Sequence, residues 1–168
     1  MKKLLIGLLI LGLSPHVFAQ VEKTEMLSEV VIAAANYKYL NQVDYSEAAV
    51  PVKLLETKIA GYDLKNADFY DEQYDFYTVS FFIPEGKVLA SYDKNGKILY
   101  TVERYHDIAL PKTILESLAE RFPNWEITKD IYLINYHETK GIDKKYKITL
   151  QNGDQKIKVK LDADGSFL

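Results

Sequence analysis

The stretch Lys145-Tyr146-Lys147-Ile148-Thr149-Leu150-Gln151-Asn152-Gly153-Asp154-Gln155-Lys156-Ile157-Lys158-Val159-Lys160-Leu161 decides the fold. Tyr146, Ile148 and Leu150 alternate with Lys145, Lys147 and Thr149; after a turn at Asn152-Gly153, Ile157, Val159 and Leu161 alternate with Lys156, Lys158 and Lys160. Successive side chains of a strand point to opposite faces, so this is a β-hairpin with one apolar face and one lysine face. Upstream, Ile131 to Tyr136 reads as a further strand, separated from the hairpin by a loop from His137 to Asp143. Before it, Ile114, Leu115, Leu118, Ala119 and Phe122 recur at helical spacing, Pro111 suits the first helical turn, and Pro123 with Asn124 stops the run. The spacing predicts a helix over about 111–122 with a single apolar stripe, which must cover something.

The same order occurs earlier in the chain. Val50-Pro51-Val52-Lys53-Leu54-Leu55-Glu56 lines up with Leu110-Pro111-Lys112-Thr113-Ile114-Leu115-Glu116 at an offset of 60 residues. Tyr92-Asp93-Lys94-Asn95-Gly96-Lys97-Ile98-Leu99 lines up with Leu161-Asp162-Ala163-Asp164-Gly165-Ser166-Phe167-Leu168 at an offset of 69. The difference between the offsets is an insertion, which the loop at 137–143 mostly carries. In the first copy Val52, Leu55, Ile59 and Tyr62 share a helix face with Gly61 near its end, and strands are expected at Phe76–Ile83, Lys87–Tyr92 and Ile98–Arg104 with a turn at Asp93–Gly96. Helix followed by an antiparallel meander, twice, predicts an α+β protein. Its tandem helix-plus-antiparallel-sheet units, 44–105 and 106–168, share one sheet with helices on one face and the other face open. Residues 20–43 read as an extended lead-in, with Val30, Val31 and Ile32 as a candidate strand.

With these residues in view, the chain resembles a known family. Leu110-Pro111, a helix closing on Arg121-Phe122-Pro123-Asn124-Trp125-Glu126-Ile127, then Lys145-Tyr146-Lys147-Ile148-Thr149-Leu150, Gly153 and Val159-Lys160-Leu161-Asp162-Ala163-Asp164-Gly165 is similar to the PepSY-like family. More narrowly, it resembles the β-lactamase-inhibitor-like PepSY-like proteins exported by Bacteroidetes bacteria. The resemblance covers 110–168 well and about 46–99 loosely, since Gly61-Tyr62-Asp63 lacks the Phe-Pro step. It implies an exported, non-catalytic, cofactor-free module of tandem helix-plus-four-strand units whose open sheet face grips another protein. It does not imply that a β-lactamase is the target.

Composition and charge set the surroundings. With 168 residues, 48% apolar and 27% charged, the chain is globular and long enough for a real core. A formal charge of −3 lacks the basic excess of a nucleic-acid-binding protein, and the absence of cysteine excludes disulfides, thiolate metal sites and cysteine nucleophiles. Lys2 and Lys3, the apolar run Leu4 to Leu13 and Val17-Phe18-Ala19 read as a secretory signal over 1–19, cut after Ala19. That address is the periplasm or the exterior. After Gln20 no apolar run reaches the 18 to 20 or so residues of a membrane span. Without Lys2 and Lys3 the 21 basic residues become 19 against 24 acidic, a net charge of −5.

Reactive groups are few. The expected mature chain has His106 and His137, and no serine lies in a Gly-x-Ser-x-Gly elbow. An enzyme is therefore not expected. Asp162-Ala163-Asp164-Gly165 and Asp93-Lys94-Asn95-Gly96 read as tight turns in preference to calcium loops, and His137-Glu138 as a solvated loop in preference to a metal site. Charge is segregated: 44–75 holds eight acids against three lysines, and 140–160 seven lysines against two acids. Lys145, Lys147, Lys156, Lys158 and Lys160, with Tyr132 and Tyr136 nearby, are the candidate binding residues for a protein of the envelope or exterior. The competing expectation is a small-ligand or metal-binding periplasmic factor. The aromatic run Tyr62, Phe69, Tyr70, Tyr74, Phe76 and Tyr77 suits either an interface or half-buried strands, and Trp125 is expected in the core.

Overall fold

A computed structural model describes residues 36–43 and 48–168. The expected signal over 1–19 and the candidate strand at Val30–Ile32 lie outside the described residues. The elements run α1 (Tyr37–Gln42), α2 (Val50–Ala60), β1 (Phe76–Ile83), β2 (Gly86–Asp93), β3 (Ile98–His106), α3 (Lys112–Arg121), β4 (Glu126–His137), β5 (Gly141–Asn152) and β6 (Gln155–Asp162). The fold is α+β: the strands form one open six-stranded antiparallel sheet in the order β1-β2-β3-β4-β5-β6, a continuous meander. No described helix is long and apolar enough to cross a membrane.

Strand parity sorts the side chains. One face carries Tyr77, Phe81, Val88, Ala90, Tyr92, Tyr105, Tyr132, Ile134, Tyr136, Tyr146, Ile148, Leu150 and Leu161, all buried. Against it lie Val52, Leu55 and Ile59 of α2 and Ile114 and Leu118 of α3, in the same core. Burying a side chain of this size contributes about 1.5–3 kcal/mol relative to leaving it in water, so the two helix stripes are what hold the layers together. The other face stays half-buried or exposed, Ser91 apart. β3 and β4 join the halves of the sheet, with Thr101 opposite Tyr136, Glu103 opposite Ile134 and Tyr105 opposite Tyr132.

Several expectations are corrected. The segment 137–143 is not a loop: His137 pairs with Gly141 and Tyr136 with Ile142, leaving only Glu138–Lys140 to reverse the chain. The insertion is absorbed by strand, since β4 and β5 have 12 residues each where β1 has eight. It hid because Lys144 occupies an inward position and breaks the apolar alternation. β4 also starts at Glu126, five residues before the expected Ile131, across a bulge between Ile127 and Lys129. Where the resemblance implies four strands per unit, three are described after each of α2 and α3, and Phe167 adds one isolated bridge to Leu161.

Smaller departures have local causes. The lead-in is helical at Tyr37–Gln42, tied down by Asn36, whose amide donates to the carbonyls of Ala60 (3.0 Å) and Gly96 (3.1 Å) and whose Oδ1 accepts from Ile98 N (2.8 Å). Pro111 caps α3 from outside, with φ −57° and ψ 151°, where its missing N–H costs nothing. Gly61 ends α2 with φ −93°, donating to Thr57 O at 2.9 Å, so the stop does not use a left-handed cap. Trp125 is half-buried, edge-on to Phe122 at 6.2 Å.

The two Asp-x-x-Gly segments form matching turns. Asp93 Oδ1 accepts from Asn95 N (2.8 Å) and Lys97 N (3.0 Å); Asp162 Oδ1 accepts from Asp164 N (3.0 Å) and Ser166 N (2.8 Å). Gly96 and Gly165 both have φ +82°. Beyond the turns, Ile98 pairs with Tyr92 and Phe167 with Leu161.

Candidate functional site

The outer face of β5 and β6 is built by register. Lys147 lies directly opposite Lys160, Thr149 opposite Lys158, Gln151 opposite Lys156, and Lys145 opposite Asp162. All five candidate lysines share this face, as the alternation expected. β4 extends the rows: Ile131 pairs with Lys147 and Lys129 with Thr149. Lys129 thus joins Lys158 across one residue, and it was missed because the strand was expected to begin after it. The alternation of Lys129 and Ile131 with inward Asp130 and Tyr132 is the signal that could have found it, obscured by the bulge that sets Ile127 opposite inward Leu150.

Lys129, Ile131, Lys147, Thr149, Lys158 and Lys160 line a shallow depression of 260 Å³. Among the described residues, Lys145 has an ion-pair partner, Asp143 at 2.7 Å, whereas Lys129, Lys147, Lys156, Lys158 and Lys160 have none. Asp162, the acid in the Lys145 row, already spends its Oδ1 on the turn that follows. Like charges directly opposite one another on a sheet are destabilising, so the Lys147–Lys160 pair is a cost that an anion laid over the face would relieve.

Tyr132 and Tyr136 are corrected out of this site. Parity puts them on the inner face, 4% and 2% exposed. Tyr132 stacks on Tyr146 with centroids 4.4 Å apart and planes 8° from parallel, and Tyr136 meets Tyr39 edge-on at 5.2 Å. Lys144 is likewise inward, donating to Val43 O at 3.1 Å, so it does not add to the lysine face.

Sequence reasoning also missed a buried polar network beneath the helices. The Glu103 carboxylate is fully enclosed and accepts hydrogen bonds from the hydroxyls of Tyr39 (2.9 Å), Thr101 (2.6 Å) and Tyr105 (2.8 Å). Burial pushes the Glu103 carboxyl above its ordinary range, while the three hydroxyls pull it back. Burial also pushes up the phenols of Tyr39, Tyr105 and Tyr132, with Glu103 and Glu56 adding to the rise. Thr101, Glu103 and Tyr105 alternate along β3, a polar series on a face that the apolar alternation does not mark as inward, and Tyr39 reaches them from α1.

The two described histidines end strands β3 and β4. His106 Nδ1 lies 2.8 Å from Asp107 Oδ2, and His137 Nδ1 accepts from Thr139 N at 3.2 Å. His137 is half-buried at the end of β4, and Glu138 pairs with Lys97. Among the described residues no three His, Asp or Glu side chains are grouped to hold a metal. Compared with protein-family models, with curated proteins and with solved structures, the chain matches none.

Proposed function

We propose that this chain is an exported, non-enzymatic binding module of PepSY-like type, its two helix-plus-sheet units in tandem, which binds an acidic protein of the envelope or exterior through the outer face of β4–β6. The observation that carries the reading is the lysine ladder: Lys129, Lys147, Lys156, Lys158 and Lys160 on one uncovered sheet face without a described carboxylate to neutralise them. A field of this kind acts on the rate of encounter more than on final affinity, and it fades with salt. The matching turns at Asp93–Lys97 and Asp162–Ser166 support a duplicated unit, and the residues of 1–19 support export.

Capture from an envelope extract at low salt tests the reading. The purified chain is expected to retain a specific acidic protein, and the combined Lys147→Glu, Lys158→Glu and Lys160→Glu variant is expected to lose it while melting as the parent does. Equal capture by parent and variant would overturn the site.

A further inference from the structure

The two edges of the sheet are treated differently. β6 ends it with Lys156, Lys158 and Lys160 on the outer face, charges that discourage strand-to-strand contact. β1 ends it on the other side with Phe76-Tyr77-Thr78-Val79-Ser80-Phe81-Phe82-Ile83, eight residues without a charge, a proline or a register shift. Every second residue of an edge strand turns its N–H and C=O away from its neighbour, and among the described residues β2 is the only backbone partner of β1. The acid at its entry, Asp75, lies 3.7 Å from Lys94. Such a strand is a template for another one.

The outer side chains show what fits. Phe76 is 67% and Phe82 65% exposed, with the Lys87 Nζ 5.1 Å from the centre of the Phe82 ring. Neither ring packs into the core, and among the described residues no aromatic ring meets them. A two-fold axis through Val79, with the strands antiparallel, would set Phe76 opposite Phe82 of the other copy, twice. Thr78 would then face Ser80, and on the inner side Tyr77 would face Phe81. This register keeps both apolar faces on the same side, as strand pairing demands. Aromatic pairs across strands are among the contacts that stabilise a sheet.

We infer that β1 is a self-association edge, on which a second copy of this chain adds its own β1 antiparallel about Val79 to make one continuous twelve-stranded sheet. The lysine faces would lie at the two far ends, so an acidic partner and the second copy do not compete. Sedimentation of the full chain is expected to show a dimer, which Ser80→Lys converts to a monomer that still unfolds in one cooperative transition, at a melting temperature that no longer depends on concentration. Lys158→Ser, on the opposite edge, is expected to leave the dimer intact. Because the chain has no cysteine, Val79→Cys can cross-link only to another copy, and on mild oxidation it is expected to form a disulfide-linked dimer. A parent that is monomeric at every concentration overturns the inference, including one whose β1 amides resist hydrogen exchange because another part of the chain covers them. A dimer that survives Ser80→Lys, or a Val79→Cys chain that stays unlinked, overturns it as well. Should Ser80→Lys unfold the chain, the cross-link alone decides.

Discussion

Glu103 is the residue on which the interior depends most visibly. An ionised carboxyl in an apolar layer is costly unless hydrogen bonds replace its water, and here three hydroxyls from α1 and β3 do so. Its folded value is raised, so its contribution to stability is fully present below the ordinary carboxyl value of about 4.3 and is lost as pH rises through the folded value. Glu103→Gln is therefore expected to flatten the pH dependence of the urea midpoint across that window, and an unchanged slope would show that Glu103 is not the group responsible. Tyr105→Phe removes one of the three donors, and denaturant titration should show a loss of about 1–3 kcal/mol, the range for leaving a buried acceptor short of a partner. The network was illegible in the sequence. Thr101, Glu103 and Tyr105 share a face of β3 by strand parity, but Tyr39 joins them only because α1 lies across β3, and α1 itself was expected to be extended.

At the scale of elements, the two Asp-x-x-Gly turns are alike in backbone and unlike in surroundings. Gly96 has open space where a Cβ would go, whereas a Cβ on Gly165 would sit 2.6 Å from Ser117 Oγ and 3.1 Å from Thr113 O. Both have φ +82°, so Gly96→Ala should cost about 1–2 kcal/mol from backbone strain alone, and Gly165→Ala more because α3 must also move. Thermal unfolding of the two variants checks the order. The hairpins were legible because alternation is a local signal: β1 is found at its expected bounds, and β2, β3, β5 and β6 begin or end within a few residues of theirs, β5 excepted at its start. Extension of β5 back to Gly141 and of β4 back to Glu126 was not legible, because Lys144 and the bulge at Thr128 break that signal. The same bulge cost the recognition of Lys129. Tyr132 and Tyr136 were misassigned for a different reason: proximity to the lysines along the chain was read as proximity on the surface, although parity puts the Tyr132–Ile134–Tyr136 series inside.

Across the whole molecule, charge follows the order of the strands. Acids of the segment before β1, among them Asp68, Asp71, Glu72 and Asp75, are exposed, with the Asp71 backbone at the hydroxyl of inward Tyr77, and the lysines of β5 and β6 stand at the far side of the sheet. Five interstrand steps of about 4.8 Å separate β1 from β6, roughly 24 Å and beyond the Debye length at physiological salt, so the two charge blocks do not cancel each other. A net negative charge therefore conceals a strongly positive face, and the lysines that keep β6 from pairing edge to edge are the ones proposed to meet a partner. The most direct measurement is the association rate of the captured acidic partner as ionic strength is raised, for the parent and for the Lys147→Glu, Lys160→Glu pair. The parent's rate should fall steeply with salt, and the variant's should be low and flat, with dissociation nearly unchanged in both. A parent rate that ignores salt, or a variant that associates as fast as the parent, would contradict the account.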